Sequence, residues 1–330
     1  MRILFWGTPA FAVPSLRALG DEGFDVVGVV TQPDRPAGRG RRLQPSAVKQ
    51  VALEHGLPVL SPDRPRGEEF MEAAGALAPD LSVVVAYGHI LKSEVLALPP
   101  LGSINVHASL LPALRGAAPI NWAIARGFEE TGVSIMRMVS AMDAGAVIHQ
   151  VTEPIFDDET ASELSLRLSE LGAQALLEAL ALLGAGGATE VEQDDDAATF
   201  APKIDRAVAR IDWSRPAAEV ANHVRAMDAV PGAWSELEGT PVKLFRPRVV
   251  PLHVVVPPLV PGASGNGGPP PSGGPPLPGA VVVADPSRGV LVATPDGGVL
   301  FAEAQPPGKR RMEVRDWING RGVEPGQCFE

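Results

Sequence analysis

The segment Asp80–Ala86, DLSVVVA, is apolar at almost every position. A strand with one face in water alternates apolar and polar residues. A short run without alternation suits a strand covered on both faces, as in a parallel sheet flanked by helices. Parallel neighbours need long crossover connections, and the first half of the chain supplies them. Arg2–Trp6 and Asp25–Thr31 read as strands, with helices predicted over Phe11–Glu22 and Pro45–His55. Gly102–His107, Gly132–Met138 and Ala146–Thr152 read as further strands, and Ala118–Arg126 and Ala161–Leu183 as helices. The expected fold is α/β, a doubly wound, Rossmann-like sheet. Ligands of such sheets sit outside the carboxyl ends of the strands. The first strand runs into Gly7-Thr8-Pro9 rather than G-x-G-x-x-G, which argues against a nicotinamide cofactor.

The pattern changes after about residue 203. One helix is expected over Ala217–Met227. Around it lie short β-like pieces at Ala233–Leu237, Val242–Phe245, Ala280–Ala284, Val290–Ala293 and Val299–Ala302. Short strands separated by turn residues point to a small OB-like barrel. We therefore expect a catalytic domain over residues 1–204 and an OB-like domain over 205–330. Pro257–Gly279 holds no charged residue and is dominated by Pro, Gly and Ser. Such a composition builds no core and reads as a flexible insertion.

The 330 residues carry 28 basic and 39 acidic side chains, a net charge of −11. That balance disfavours indiscriminate nucleic-acid binding but leaves room for a local basic site. The single cysteine, Cys328, reads as an inert tail residue in a cytoplasmic, reducing setting. The apolar start, Met1–Trp6, is too short for a signal segment, and prolines break Val249–Val260, so no membrane span is expected. His55, His149, His223 and His253 show no metal-ligand spacing, and Asp194-Asp195-Asp196 reads as a solvated turn, so no metal is expected.

The candidate site lies in Asn105-Val-His107-Ala-Ser109-Leu-Leu-Pro112-Ala-Leu-Arg115-Gly116, with Asp143 further on in Met-Asp-Ala-Gly. On a strand, Asn105 and His107 share a face. An amide can donate to a developing oxyanion. An imidazole exchanges protons near neutral pH, and a carboxylate can hold that imidazole. No nucleophile is needed, which suggests direct group transfer. A second feature is the loop from Gln32 to Leu43, where Arg35, Arg39, Arg41 and Arg42 alternate with Pro and Gly. Guanidinium groups on such an arm suit phosphates and stacked bases.

The run N-x-H-x-S-L-L-P-x-x-R-G-x-x-P with the later Asp-x-Gly resembles the folate-dependent formyltransferases. The basic arm, Ala-Arg-Ile-Asp-Trp at 209–213 and Pro-Gly-Ala-Trp at 231–234 resemble the branch of that family whose acceptor is a charged tRNA. The resemblance covers nearly the whole chain, with Pro257–Gly279 as an insertion. It implies formyl transfer from 10-formyltetrahydrofolate to the α-amino group of methionine on initiator methionyl-tRNA, by a cytoplasmic, monomeric enzyme without metal. Asn105 and protonated His107 would stabilise the oxyanion. Asp143 would orient His107 and take the amine's proton through water. Ser109, Leu110, Leu111, Pro112, Tyr87 and Gly88 would form the folate side. Arg35, Arg39, Arg41 and Arg42 would contact tRNA. Read from their charge alone, Lys309-Arg310-Arg311, Arg246 and Arg248 suit either a further phosphate contact or a solvated turn. The alternative acceptor is an amino sugar nucleotide.

Overall fold

Leu81–Val85 lies in the middle of a seven-stranded sheet, and every residue in it is buried. It pairs in parallel with Arg2–Gly7 on one side and Ser103–His107 on the other. Because successive side chains point to opposite faces, burial of all five means both faces are covered, which is why the sequence lacks alternation. The computed structural model describes residues 1–37, 42–251 and 276–330. These divide into two compact units. The first comprises Met1–Ile120, Glu129–Ile155 and Glu163–Lys203; the second comprises Asn121–Phe128, Phe156–Ser162 and Ile204–Glu330.

In the first unit the strand order is Val147–Pro154, Glu130–Arg137, Ser103–His107, Leu81–Val85, Arg2–Gly7, Asp25–Val30, Val59–Leu60. The last five run parallel; Glu130–Arg137 is antiparallel to both of its neighbours. Helices Val13–Asp21, Ala47–Glu54, Glu68–Ala76 and Ala161–Gly184 are the longer connections. One core cluster joins Leu4, Trp6, Val30, Phe70, Val84 and Tyr87. Trp6 meets Tyr87 edge-on at 5.2 Å between ring centres, and Phe70 at 5.7 Å. Burying large side chains of this kind contributes roughly 1.5–3 kcal/mol each. It fixes the carboxyl ends of three adjacent strands, from which the candidate loops emerge.

The second unit carries an antiparallel sheet in the order Trp234–Leu237, Thr240–Pro251, Gly297–Gln305, Gly289–Thr294, Val281–Asp285, with Met312–Glu313 paired to Gly297–Gln305. The final residues bond to both outer strands. Phe329 bridges Leu237, and Cys328 bridges Ala280. Cys328 has an exposed thiol, yet its backbone is part of the sheet, so the tail is a structural element. Trp213 packs against Phe301 and Phe329, and its indole N–H donates to Ser235 Oγ at 2.9 Å. Of the Pro/Gly tract, residues 257–275 lie outside the described residues. Its end, Gly279, donates to Ala293 and accepts from Phe329, both within the sheet.

Candidate active site

Ser103–His107 ends at the carboxyl edge of the parallel sheet. Asn105 is in register with Val84 on one side and Met136 on the other. It is half-buried, and among the described residues its side-chain amide makes no hydrogen bond. That leaves a donor held by a rigid strand and free to meet a ligand. Two residues on, His107 is only 5% exposed. Its Nε2 lies 3.0 Å from the Leu114 carbonyl oxygen. A carbonyl can only accept, so Nε2 carries the hydrogen. Nδ1 is then the nitrogen on the Asp143 side, 3.7 Å from Oδ2. Burial pushes the imidazole below its ordinary value, while the Asp143 carboxylate and the Leu114 carbonyl pull it back up. The protonated form assigned to His107 above is thus opposed by burial and favoured by Asp143.

The segment after His107 is irregular and closely held. Leu114 sits at φ +61° and Gly116 at φ +126°. Leu114 N–H donates to Thr199 Oγ1 at 2.9 Å, Arg115 N–H to the Thr199 carbonyl at 2.9 Å, and Thr199 N–H to the Pro112 carbonyl at 3.3 Å. Arg115–Gly116 also pairs with Phe200–Ala201, so closely that a Cβ on Gly116 would stand 2.6 Å from the Ala201 carbonyl oxygen. The glycine is required there both for its φ and for its lack of a side chain. Its N–H donates to Asp143 Oδ2 at 2.8 Å. Asp143 itself occupies the left-handed region, at φ +50°.

Ser109 and Leu111 are buried, and Leu110 is half-buried. Ser109 Oγ donates to the Ala113 carbonyl at 2.6 Å. Ser134 Oγ accepts from Leu111 N–H and donates to the Ser109 carbonyl, and Gln150 Nε2 donates to the Leu111 carbonyl. Ser109, Leu111 and Pro112 are thus parts of one braced turn. Tyr87 and Gly88 follow the neighbouring strand Leu81–Val85. The Tyr87 carbonyl accepts from Thr8 Oγ1 and Gln32 Nε2, both at 2.9 Å. Gly88 lies at φ +89°, where a Cβ would stand 2.4 Å from Gln32 Nε2. The Tyr87 phenol is buried without a hydrogen-bond partner among the described residues, and burial pushes it up to about 12. His89 is exposed beside it, in ring contact at 5.8 Å.

The basic arm begins and ends as a short antiparallel pair, Arg35–Ala37 with Arg42–Gln44, where the sequence suggested loop alone. Arg35 and Arg42 are exposed, and Arg35 donates to Gln32 Oε1. Arg39 and Arg41 lie outside the described residues. In the second unit Arg311 is committed internally, to Asp228 at 2.7 Å and to Glu303, above the Phe245 ring. It is not available as a phosphate contact in this arrangement. Arg246 and Arg248 are exposed and line a groove of about 870 Å³ together with Arg288.

Two polar residues of this region lie outside the motif. Gln193 and Thr199, together with Arg115 of the motif, brace the loops that carry His107's carbonyl partner and Asp143. The single hint in the sequence is that Gln193 and Thr199 flank Asp194-Asp195-Asp196, a run whose composition suggests only a solvated turn. Asp194 does cap a short 3-10 turn, but Asp195 reaches Arg115 Nη1 at 2.8 Å.

The sheet thus brings an amide, a buried imidazole and a carboxylate together around the end of Ser103–His107. Residues 1–180 match the family "Formyl transferase" and residues 203–322 match "Formyl transferase, C-terminal domain". The chain belongs to the formyltransferase family, whose formyl donor is a folate. Among its relatives is the methionyl-tRNA formyltransferase of Symbiobacterium thermophilum, 47% identical over 329 residues, which covers 100% of this chain and 95% of that one. The methionyl-tRNA formyltransferase of Bacillus subtilis is 41% identical, with 99% and 97% covered. A solved N-formyltransferase from Helicobacter canadensis, in complex with folinic acid and dTDP-3-aminofucose, shares the fold at a TM-score of 0.64. It is 17% identical and covers 92% of this chain and 98% of that one. Among the described residues no helix is long and apolar enough to cross a membrane.

Proposed function

We propose that this chain transfers the formyl group of 10-formyltetrahydrofolate to the α-amino group of methionine on initiator methionyl-tRNA, producing formylmethionyl-tRNA for translation initiation. The observation that carries the chemistry is the buried His107 beside Asp143, with the unbonded Asn105 amide two residues earlier on the same strand. The choice of acceptor is supported by the full-length likeness to relatives named for that tRNA.

The amine lone pair attacks the formyl carbon, and the carbonyl π pair moves onto oxygen. Asn105 donates to that oxygen, where a preorganised hydrogen bond gains most as charge develops. With Nε2–H committed to Leu114, His107 offers Nδ1 and takes the proton that the new C–N bond forces off the amine. Asp143 then stands beside an imidazolium, whose charge adds to oxyanion stabilisation. The carbonyl re-forms as the bond to N10 breaks. N10 leaves with the electron pair and receives the proton, which gives tetrahydrofolate and the formamide. This makes His107 the proton carrier first and an electrostatic stabiliser second.

Ser109, Leu110, Leu111, Pro112, Tyr87 and Gly88 fit a folate-binding side, because they bracket the same strand ends and their backbone is already held. Arg35, Arg39, Arg41 and Arg42 fit the acceptor end of tRNA, with Arg39 between two glycines. The enzyme acts as a cytoplasmic monomer and uses no metal. The test is formyl transfer from labelled 10-formyltetrahydrofolate to initiator methionyl-tRNA and, separately, to amino sugar nucleotides, at two salt concentrations. Methionyl-tRNA is expected to be the acceptor, with kcat/KM falling steeply as salt releases the phosphate contacts. Formylation of an amino sugar nucleotide in place of methionyl-tRNA would replace this reading with the alternative.

A further inference from the structure

Asp143 sits in a conformation that a non-glycine residue rarely adopts, with φ at +50°. Something must hold it there. Its carboxylate is held by Gly116 N–H. Its backbone is held from the other side by one side chain, 50 residues away in sequence. Gln193 Nε2 donates to the Asp143 carbonyl at 2.8 Å and to the Gly145 carbonyl at 2.7 Å. Both hydrogens of the amide are thus spent on the turn that carries Asp143. Gln193 Oε1 accepts from Arg115 Nε at 3.0 Å. Arg115 is 5% exposed, and Asp195 fixes its Nη1 at 2.8 Å. Gly145 packs so closely on Arg137 that a Cβ would stand 1.9 Å from the Arg137 carbonyl oxygen, so the turn cannot drift toward the sheet.

These contacts form a closed circuit. Gln193 binds Arg115; Arg115 is followed by Gly116; Gly116 binds the Asp143 carboxylate; and Gln193 binds the Asp143 carbonyl. The residue that presents Leu114's carbonyl to His107 lies next to Arg115. One amide therefore links both elements that flank the imidazole.

We infer that Gln193 is a positioning residue for formyl transfer, holding the Asp143 turn against the Arg115–Gly116 segment so that the carboxylate keeps its place beside His107 Nδ1. The inference rests on the catalytic reading of Asp143. Gln is suited to the task in a way Glu is not. A neutral amide supplies two N–H donors and one acceptor at once, whereas a carboxylate would turn lone pairs toward two carbonyl oxygens. Displacements of about 1 Å at a reacting group are enough to lower a rate on the order of 100-fold.

The test uses the full-length protein with Gln193→Glu, Arg115→Lys and Asp143→Asn. Gln193→Glu keeps an acceptor for Arg115 and removes both donors to the turn. Its kcat with methionyl-tRNA and 10-formyltetrahydrofolate is expected to fall on the order of 10- to 100-fold, with both KM values within about twofold of wild type. The His107 titration, followed by NMR of labelled histidine, should move to lower pH, because the carboxylate that raises it is no longer held in place. Arg115→Lys keeps the charge but loses the Nε donor, and should show a smaller change in the same direction. A merely structural role would lower the melting temperature without moving the His107 titration. Folded Gln193→Glu with wild-type kcat, or with its whole defect in KM, overturns the inference. Should that variant not fold, a wild-type kcat and His107 titration in Arg115→Lys overturn it. An active Asp143→Asn would instead remove the catalytic reading on which it rests, so the two failures are distinguishable.

Discussion

Among the described residues two histidines have their imidazoles pushed to lower values by burial, and they are wired differently. His107 ends a strand at the carboxyl edge of the parallel sheet, with a carbonyl on one nitrogen and a carboxylate 3.7 Å from the other. His223 lies in the helix Ala217–Met227 of the second unit, and its Nε2 is shut away from solvent with no hydrogen-bond partner among the described residues. For both, desolvation is the largest cause, and a nearby aspartate acts in the opposite sense, Asp143 for His107 and Asp212 for His223. On the proposed reading, a shifted histidine is not by itself a sign of catalysis. What marks His107 is that its partners leave one edge of the ring paired with a carboxylate, next to an amide with unused donors. His223 instead hydrogen-bonds to the backbone of Ala209 and Arg210, with Nε2 unpartnered among the described residues.

The comparison breaks most sharply at Asp143. Asp143→Asn should lower kcat/KM about 100-fold or more, while the fold survives, because Gly116 N–H can still meet an amide oxygen. The sign of the pH effect follows from the wiring. The carboxylate raises His107, so its removal leaves the imidazole lower still. If the neutral imidazole is the working form, the acid limb of the kcat/KM profile moves to lower pH in this variant. A limb that stays in place or moves upward would detach Asp143 from His107.

Gly116→Ala tests the frame rather than the charge. An alanine would be forced to φ +126° against the Ala201 carbonyl. The expected cost is roughly 1–3 kcal/mol of stability, together with a loss of activity as the N–H moves off Asp143. Thermal unfolding and initial rates read both. A variant as stable and active as wild type would show that this backbone is far softer than its contacts indicate.

The smallest effect should come from His223→Gln, with kcat within about twofold of wild type. Its signature lies in stability against pH. The folded-state value of His223 is depressed, so the unfolded chain, with an ordinary value of about 6.5, binds more protons as pH falls below that point. Wild type therefore loses stability on acidification through that window, and His107 contributes with the same sign. His223→Gln should keep more of its neutral-pH melting temperature at about pH 5.5 than wild type does. An activity loss comparable to that of Asp143→Asn would erase the distinction between the two histidines.

Much of the sheet was legible because its signals are local. Continuous apolarity marked Leu81–Val85, and period two put Asn105 and His107 on one face. The helix Ala217–Met227 and the family motif were readable for the same reason. What escaped was either weakly patterned or distant in sequence. Glu68–Ala76 is a helix with only Phe70 and Ala74 fully buried, so its apolar stripe is thin. Thr240–Pro251 runs well past the expected Val242–Phe245, because Arg246, Pro247 and Arg248 hide a strand that Gly297–Gln305 stabilises from the other side. The pairing of Arg35–Ala37 with Arg42–Gln44 was masked by prolines and glycines. At the site, the first contacts were readable and their supports were not. Gln193 and Thr199 reach residues 78 and 85 positions away, and no periodicity encodes such a contact.

The most direct measurement is the single-turnover rate of formyl transfer to initiator methionyl-tRNA by folded His107→Ala, beside wild type and His223→Gln. The account predicts that His107→Ala binds both substrates yet transfers formyl about 100-fold or more slowly, with His223→Gln close to wild type. A folded His107→Ala that transfers formyl at the wild-type rate would contradict it.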